Sequence, residues 1–277
     1  MMKGGIDMAV ITISRQMGSM GTAIAQDVAG KMQYKYLDRE GIEQGLAAHG
    51  LKGPEVEKYD EKSPPFWANW QNQGRKFFHA IQMVIYEAAR KDNVVIVGRG
   101  GQVLLRGIPG ILHVRIIAPL QDRIQRLMAE SGESEKELSR ILKQSDRESG
   151  GFLRAFLDAD WENPELYDLT ISTRNFPRDL SADIILRAIS AVEATKDMRT
   201  SRPRERLDDL ILQLKVEAVL LNADIRNIRV EVGAGVVTLR GNVFSNLEGR
   251  RYVSLISGIE GVQKVESNMS VYTHIGT

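Results

Sequence analysis

The chain has 277 residues, of which 43% are hydrophobic, and its formal net charge is +1 at pH 7. This length and apolar content are enough for one large domain or for two unequal ones. The charge gives no strong signal for nucleic-acid binding, and the absence of cysteine excludes disulfide scaffolds and thiolate metal sites. No run approaches the roughly 20 apolar residues of a membrane span, and residues 1–7 lack the apolar core of a leader, so we expect a cytoplasmic protein.

The segment from Ile13 to Ala25 is the most informative part of the sequence. An apolar, β-branched run at residues 8–13 leads into it, and apolar residues recur at helical spacing after it, so we predict a strand, a turn and a helix. Backbone N–H groups at the start of a helix attract phosphate, and Gly18 and Gly21 would let an anion approach closely. The segment therefore predicts a phosphate-binding turn, although an ordinary strand-to-helix connection fits the same pattern.

The same segment departs from the P-loop pattern G-x-x-x-x-G-K-[ST]. In that pattern the lysine binds the β- and γ-phosphates and the final hydroxyl binds Mg²⁺. When Gly18 is aligned with the internal glycine of the loop, Met20 stands at the second glycine and Gly21 at the lysine. The sequence thus retains the small residues that shape the backbone of the loop better than it retains the reactive side chains of the P-loop pattern.

Strand-like and helix-like segments alternate as far as residue 194. Strands are predicted at residues 34–40, 94–97, 112–118 and 167–173, and helices at residues 67–91, 120–130, 134–157 and 180–194. Residues 50–66 predict a loop because they are rich in glycine and proline. Alternation of this kind predicts a parallel sheet that is covered by helices on both faces.

Two charged residues stand where such a sheet would bind a ligand. Asp38 follows the second predicted strand, where it could accept a hydrogen bond from a ribose or base, or could cap a helix over residues 39–49. Arg99 lies between glycines after the strand at 94–97, at the edge where open α/β sheets bind ligands. Its planar guanidinium suits a phosphate, although an arginine in such a turn could also be solvated. His113, inside a predicted strand, indicates a structural role.

The helix predicted at residues 134–157 is rich in charge. Its charged side chains could close over a polyphosphate, or they could form a solvated face with ion pairs one turn apart. They include Arg140, Lys143, Asp146, Arg147 and Arg154. Periodicity alone favours the solvated face.

Five short segments together carry a resemblance to a known family. They are residues 13–21 (ISRQMGSMG), 36–40 (YLDRE), 98–100 (GRG), 146–147 (DR) and 167–173 (YDLTIST). In this order they resemble the cytidylate-kinase-like family of P-loop nucleoside monophosphate kinases, over residues 8–195. The resemblance implies an α/β fold with a three-layer, five-stranded parallel core and a mobile lid. It also implies transfer of the γ-phosphoryl group of ATP, with Mg²⁺, to a pyrimidine nucleoside monophosphate such as CMP or dCMP.

The resemblance implies roles for the residues of the turn. The donor phosphates would be cradled by Gly18, Ser19, Met20, Gly21 and Thr22. Ser19 or Thr22 would lie nearest to a Mg²⁺ ion that the protein does not ligate directly. Arg15, beside the turn, is the candidate for the function of the missing lysine.

Further roles follow for the acceptor site and the lid. Arg99 would hold the acceptor phosphate and Asp38 would border the acceptor, while Lys143 and Asp146 would belong to the lid. Arg147 and Arg154 join Arg15 as candidate catalytic cations, because one well-placed arginine can contribute about 10³–10⁵ in rate. Gly100 stands where such kinases usually carry an acidic residue.

A second domain is predicted after a basic linker at residues 196–206. The preceding domain would span residues 1–195, and residues 207–277 would form the small domain. Its pattern predicts a helix at 207–221, strands at 228–232 and 236–243, a helix at 245–259 and a last strand at 262–272. This αββαβ order, with residues 236–243 and 258–265, resembles the BON domain over residues 206–273. The resemblance implies a small α+β domain that binds phospholipid or a macromolecular partner and is not catalytic.

Three functions fit these features. The first is a nucleoside monophosphate kinase whose small domain localises or regulates it. The second is a nucleotide-sensing pseudokinase, which Gly21 at the lysine position favours, whereas Arg99 and the lid cations favour the kinase. The third is a protein that tethers itself to a membrane or a partner through the small domain.

Overall fold

The computed structural model describes residues 9–49, 51, 72–194 and 203–272. The chain forms two compact units, which divide after residue 201. The predicted loop at 50–66 lies outside the described residues except for Leu51, as do the start of the helix predicted at 67–91 and residues 196–202 of the predicted linker.

The first unit is built on a parallel sheet of five strands within the described residues. The strands are β1 (Val10–Arg15), β2 (Lys35–Leu37), β3 (Val94–Val97), β4 (Ile111–Ile117) and β5 (Leu169–Ser172). They lie in the order β2-β3-β1-β4-β5, and every neighbouring pair is parallel. Parallel neighbours need crossover connections, and the helices that alternate with the strands provide them. The predicted parallel sheet is confirmed.

Seven α-helices of the first unit are described, besides a short 3₁₀ helix at Pro164–Leu166. They are α1 (Gly21–Met32), α2 (Arg39–Ala48), α3 (Asn72–Arg90), α4 (Gly101–Leu104), α5 (Leu120–Ser131), α6 (Glu135–Leu157) and α7 (Arg178–Ala194). On one face of the sheet, apolar residues of β1, β3 and β4 pack against α1 and α7 in a single buried cluster. A second cluster, which includes Phe152, Leu153 and Trp161, gathers side chains of α6 and the segment that follows it. The predicted three-layer arrangement of the α/β unit is confirmed.

The carboxyl end of β1 differs from the prediction. The apolar run indicated a strand that ends at Ile13, but β1 continues to Arg15. Ser14 and Arg15 pair with Arg115 and Ile116 of β4, so neighbouring strands extend β1 beyond its apolar residues. Arg15 therefore belongs to the sheet and not to the turn.

The second unit has the predicted αββαβ order. It consists of α8 (Pro203–Asn222), β6 (Ile228–Gly233), β7 (Val236–Val243), α9 (Asn246–Ser257) and β8 (Lys264–Val271). The sheet order is β6-β7-β8, with β6 antiparallel and β8 parallel to β7. Residues 203–206, which we predicted as linker, already belong to α8, because Pro203 is well suited to the first turn of a helix. No helix among the described residues is both long and apolar enough to cross a membrane.

Candidate active site

The turn between β1 and α1 has the backbone conformation of a tight anion-binding loop. Gly18 and Met20 both have positive φ, at 76° and 63°, and α1 begins at Gly21. Met20 stands where the P-loop pattern has its second glycine, and the left-handed conformation costs a non-glycine residue about 1–2 kcal/mol. Within the described residues, the backbone N–H groups of Gly18, Met20 and Thr22 donate to no protein acceptor. The turn thus presents three donors to an anion.

The carbonyl groups of this turn are held from behind. Arg123 Nη1 donates to the carbonyl oxygen of Met17 at 3.3 Å, and Arg126 Nη1 donates to that of Gly18 at 3.2 Å. The hydroxyl of Thr173 donates to the carbonyl oxygen of Ser19 at 3.0 Å. Because three consecutive carbonyls are bonded on one side, the peptide planes are fixed and the N–H side of the turn remains available to a ligand.

The arginines behind the turn are themselves anchored. Arg123 forms a bidentate pair with Asp146 of α6, at 3.1 and 2.8 Å, and Arg126 binds the hydroxyl and the carbonyl oxygen of Thr173 at 2.9 and 2.7 Å. Asp146, a predicted lid residue, thus joins α6 to the turn through Arg123. Sequence reasoning missed Arg123 and Arg126, which lie in a charged helix with no local signal. Thr173 ends a segment that the family resemblance had marked.

Arg15 and Arg99 line the same small cavity at the carboxyl ends of β1 and β3. Its volume is about 20 Å³, which is room for a single water molecule. Ser149 and Leu153 of α6 and the indole of Trp161 cover it. The structure therefore brings together two predicted cations beside the turn between β1 and α1.

Arg99 is buried, with 4% of its surface exposed, so the alternative of a solvated arginine is wrong. Its Nη2 lies 3.6 Å from Oε1 of Glu43, an oxygen that also accepts a 2.7 Å hydrogen bond from Arg39. The backbone of Gly98, Arg99 and Gly100 is left-handed, which holds the side chain between two glycines. A β-carbon on Gly100 would lie 2.4 Å from Cδ1 of Leu157, so an acidic residue there would require the side chain of Leu157 to move.

Asp38 caps α2, as one of its two predicted roles required. Its Oδ1 accepts a 3.1 Å hydrogen bond from the backbone N–H of Gly41. Burial raises the pKa of Tyr36, and the negative charge of Asp38 raises it further while the positive charge of Arg15 lowers it. The charges of Asp38 and Arg15 thus act in opposite directions on the same hydroxyl group.

The cations predicted for the lid do not line the cavity. Lys143, Arg147 and Arg154 are exposed, and Arg147 donates to Gln144 of its own helix at 3.0 Å. At 100° per residue they lie about 120° around α6 from the face with Ser149 and Leu153. In this conformation α6 presents its apolar and small residues to the cavity and these cations to solvent.

The two hydroxyl groups proposed for the metal region differ in access. Ser19 is fully buried, and its Oγ accepts a hydrogen bond from the N–H of Gly21 at 3.3 Å. Thr22 is exposed in the first turn of α1. In the part of the chain that the structure describes, no three histidine or acidic side chains converge on a point that could hold a metal ion.

A buried polar network holds Trp161 in place beside the cavity. Trp161 Nε1 donates to the hydroxyl of Ser14 at 2.8 Å, and the hydroxyl of Tyr167 donates to the carbonyl oxygen of Trp161 at 2.9 Å. The guanidinium of Arg115 lies over the rings of Trp161 and Tyr167, 4.9 and 5.4 Å from their centroids. These contacts fix the indole that covers the cavity.

His113 has the structural surroundings that the sequence indicated. Its Nδ1 lies 2.8 Å from the hydroxyl of Thr12. Burial lowers the pKa of His113, which keeps the imidazole neutral near pH 7.

Comparison with known proteins gives a family match for each of the two units. Residues 10–175 match the cytidylate kinase-like family, and residues 208–272 match the BON domain. The cytidylate kinase of Archaeoglobus fulgidus is 28% identical over 195 residues, which cover 68% of this chain and 99% of that enzyme. The uronate isomerase of Corynebacterium glutamicum is 31% identical over 98 residues, which cover 35% of this chain and 19% of that protein. The chain thus spans about a fifth of the isomerase and nearly all of the kinase.

The solved structures include a similar fold. An uncharacterized protein from Eubacterium ventriosum has 21% sequence identity and a TM-score of 0.51, over 66% of this chain and 99% of its own. At this identity the likeness concerns the fold alone.

Proposed function

The chain belongs to the cytidylate kinase-like family, and from that premise we propose that it transfers the γ-phosphoryl group of ATP to CMP or dCMP. The observation that carries this proposal is the position of Arg15 and Arg99 in one cavity beside the phosphate-binding turn. A nucleoside monophosphate kinase must hold two phosphorylated substrates side by side. A backbone cradle and a buried arginine at adjacent strand ends suit that requirement.

The residues of the chain would act mainly by positioning. The N–H groups of Gly18, Met20 and Thr22 would hold the donor phosphates, and Arg99 would hold the acceptor phosphate. Phosphoryl transfer needs little covalent help from the protein, because placement and charge neutralisation lower most of the barrier. Glu43, whose Oε1 lies 3.6 Å from Nη2 of Arg99, would help to orient the guanidinium.

Magnesium fits this site as an ion that arrives with the nucleotide. Mg²⁺ keeps several waters and commonly binds substrate phosphates together with few protein groups. Thr22 is the exposed hydroxyl that would lie nearest to it, since the hydroxyl of Ser19 is turned into the loop. When bound, the ion supplies positive charge to the donor phosphates.

Admission of an acceptor requires movement of α6. A cavity of about 20 Å³ has no room for a phosphate group, and Ser149 and Leu153 cover it. We propose that α6 and the turn at Trp161 move outward as a lid and close over the bound substrates. Lys143, Arg147 and Arg154 are the cations that this movement would bring to the phosphates.

Turnover assays test this function directly. The full chain is incubated with ATP, Mg²⁺ and each of CMP, dCMP, UMP and AMP, and ADP is measured. We expect fastest ADP formation with CMP or dCMP. Arg99→Ala should raise the KM for the acceptor at least tenfold, whereas Arg187→Ala, which changes an exposed arginine of α7, should not. ATP binding by calorimetry without turnover for any acceptor would support a nucleotide-sensing pseudokinase instead.

For the BON unit we propose docking on an anionic phospholipid surface. Phe244 and Leu247 are 77% and 71% exposed, and the ring of Tyr272 lies 5.3 Å from that of Phe244. Arg250 and Arg251 are exposed on α9, one turn from Leu247. Apolar side chains beside cations suit the interface of an anionic bilayer.

Vesicle sedimentation tests the docking. The full chain should sediment with phosphatidylglycerol vesicles at low salt and much less with phosphatidylcholine vesicles. Phe244→Ser combined with Leu247→Ser should abolish sedimentation, while Ser254→Ala, on the same helix, should not. Equal sedimentation of the parent and the double variant would contradict the proposal, and a parent that ignores both vesicles would favour a protein partner.

A further inference from the structure

Gly21 occupies the lysine position of the P-loop pattern, and the space above it is filled by another side chain. A β-carbon on Gly21 would lie 2.4 Å from Cβ of Arg15 and 3.0 Å from Cγ. Non-bonded carbon atoms have their optimal separation at about 3.5–4.0 Å, so a side chain at position 21 and the stem of Arg15 exclude one another. The absence of a lysine at position 21 therefore goes together with the position of the Arg15 stem, which occupies the same space.

The path of Arg15 leads from the donor turn to the acceptor turn. Its stem crosses the first residue of α1, at Gly21. Its guanidinium reaches the turn after β3, where Nη1 lies 3.1 Å from the position of a β-carbon on Gly98. Arg99 follows in that turn and lines the same cavity. One extended side chain thus connects the two places where the proposed substrates would carry phosphate.

The positive charge of Arg15 is available to bind a phosphate between the two turns. Among the described residues, Arg15 forms no ion pair with a carboxylate, whereas Arg99 has Glu43 nearby and Arg123 is bound to Asp146. Arg15 is half-buried, so its positive charge acts in surroundings less polar than bulk water. Its delocalised, planar guanidinium can bind two phosphate oxygens at once.

We propose that Arg15 is the catalytic cation that bridges the donor and acceptor phosphates, and that it replaces the P-loop lysine from the strand side of the turn. This inference rests on the proposed kinase function. In the transfer, an oxygen of the acceptor phosphate forms a bond to the γ-phosphorus, and the bond from that phosphorus to the β,γ-bridging oxygen breaks. ADP leaves with that electron pair, and the acceptor becomes a nucleoside diphosphate. Arg15 donates hydrogen bonds throughout and exchanges no proton.

The proposal has a steric corollary. A lysine at position 21 adds no function while Arg15 is present, because the two stems compete for one volume. Shortening Arg15 to alanine leaves its β-carbon in place, so a lysine at position 21 remains excluded in that variant as well. Gly21→Lys should therefore impair the parent protein and fail to rescue Arg15→Ala.

Steady-state kinetics and calorimetry on the full chain test the proposal. Arg15→Met keeps most of the stem over Gly21 and removes the charge. We expect it to lower kcat by about 10³-fold, the lower range for one transition-state arginine, and to weaken ATP binding at least tenfold. Arg187→Met, the matched exposed arginine on α7, should change neither quantity. The double variant Arg15→Ala/Gly21→Lys should show no gain in kcat over Arg15→Ala, because the β-carbon that blocks position 21 is still present.

Each outcome separates this inference from the proposed function. If the parent turns over and Arg15→Met stays within threefold in kcat, the role of Arg15 is refuted and the kinase function stands. If the parent turns over no acceptor, the kinase function fails. The ATP affinity of Arg15→Met then tests the role of Arg15 by itself, and an affinity equal to that of the parent shows that Arg15 does not bind the nucleotide. Circular dichroism and thermal unfolding show whether each variant is folded. Should Arg15→Met not fold, Arg15→Lys provides the comparison, with an intermediate kcat expected and an unchanged kcat counting against a bidentate role.

Discussion

At the scale of single residues, Thr173 shows how the phosphate-binding turn is held in place. It is almost completely buried at the end of β5, and its one hydroxyl both donates to the carbonyl oxygen of Ser19 and accepts from Arg126. Removal of that hydroxyl leaves the carbonyl oxygen of Ser19 and the guanidinium of Arg126 with fewer partners. A small side chain outside the turn thus controls the conformation of the turn.

We predict that Thr173→Val lowers the free energy of unfolding by about 1–3 kcal/mol, the cost of leaving a buried polar group without its partner. ATP affinity should fall as well, because the peptide planes of the turn lose their support. Urea denaturation and calorimetry measure the two effects. Thr170→Val, at an exposed position of the same strand, is the control, and equal effects of the two substitutions would contradict the prediction.

His113 predicts a pH dependence of stability. Burial lowers its pKa in the folded protein, and the nearby charge of Arg106 lowers it too, while Asp168 opposes them. The unfolded chain therefore binds a proton more readily, so stability should fall as the pH drops below the ordinary histidine pKa of about 6.5. Urea denaturation between pH 8 and 5.5 measures this fall. His113→Gln should show a shallower dependence, and parallel curves for parent and variant would refute the assignment.

At the scale of secondary-structure elements, the pair of Arg123 and Asp146 connects α6 to the phosphate-binding turn. Arg123 is buried and bidentate, and Asp146 is partly exposed on α6. A helix that serves as a lid must move while the turn stays in place. This pair is therefore the contact through which a movement of α6 would reach the backbone cradle.

Asp146→Ala should destabilise the first unit by about 3 kcal/mol, because the substitution leaves the guanidinium of Arg123 buried without its partner. Amide exchange should accelerate in α6 and in residues 16–20. Glu137→Ala removes an exposed ion pair with Arg140 on the same helix and should have a much smaller effect. If both variants exchange alike, the pair does not couple α6 to the turn.

At the scale of the whole molecule, each compact unit has an apolar core of its own. The core of the first lies between the sheet and the helices α1 and α7, and that of the second gathers residues of α8, α9 and the sheet β6-β7-β8. No residue belongs to both of these clusters. Truncation of a core side chain should therefore act mainly on the unit that contains it.

Leu239 offers a test, since it is fully buried in β7. We predict that Leu239→Ala costs about 2–5 kcal/mol through lost burial and a residual cavity. In differential scanning calorimetry it should lower the unfolding temperature of the second unit and leave ATP binding unchanged. Thr238→Ala, at the neighbouring and less buried position, serves as the control. A common shift of all unfolding transitions would indicate that the units unfold together.

Much of the fold follows from local features of the sequence. Continuous β-branched runs, helical periodicity and the small residues after β1 predicted the parallel sheet, the αββαβ unit and the phosphate-binding turn, because backbone preference and apolar spacing act over a few residues. The same features offered helix capping as one of two roles for Asp38, and the structure shows that cap. The predicted roles of Lys143, Arg147 and Arg154 stay predictions, since these side chains face solvent in this structure.

Only the tertiary structure decided what surrounds the turn. Arg123 and Arg126 bond to it across more than 100 residues of chain, and no local pattern distinguishes them from other surface cations of a charged helix. Arg99 is buried beside Glu43, which lies in α2, more than 50 residues earlier in the chain. The sequence alone shows Gly21 as a missing lysine, whereas packing shows that the stem of Arg15 fills its space. Such relations depend on distances between chain segments that are remote in sequence, and only the folded backbone sets those distances.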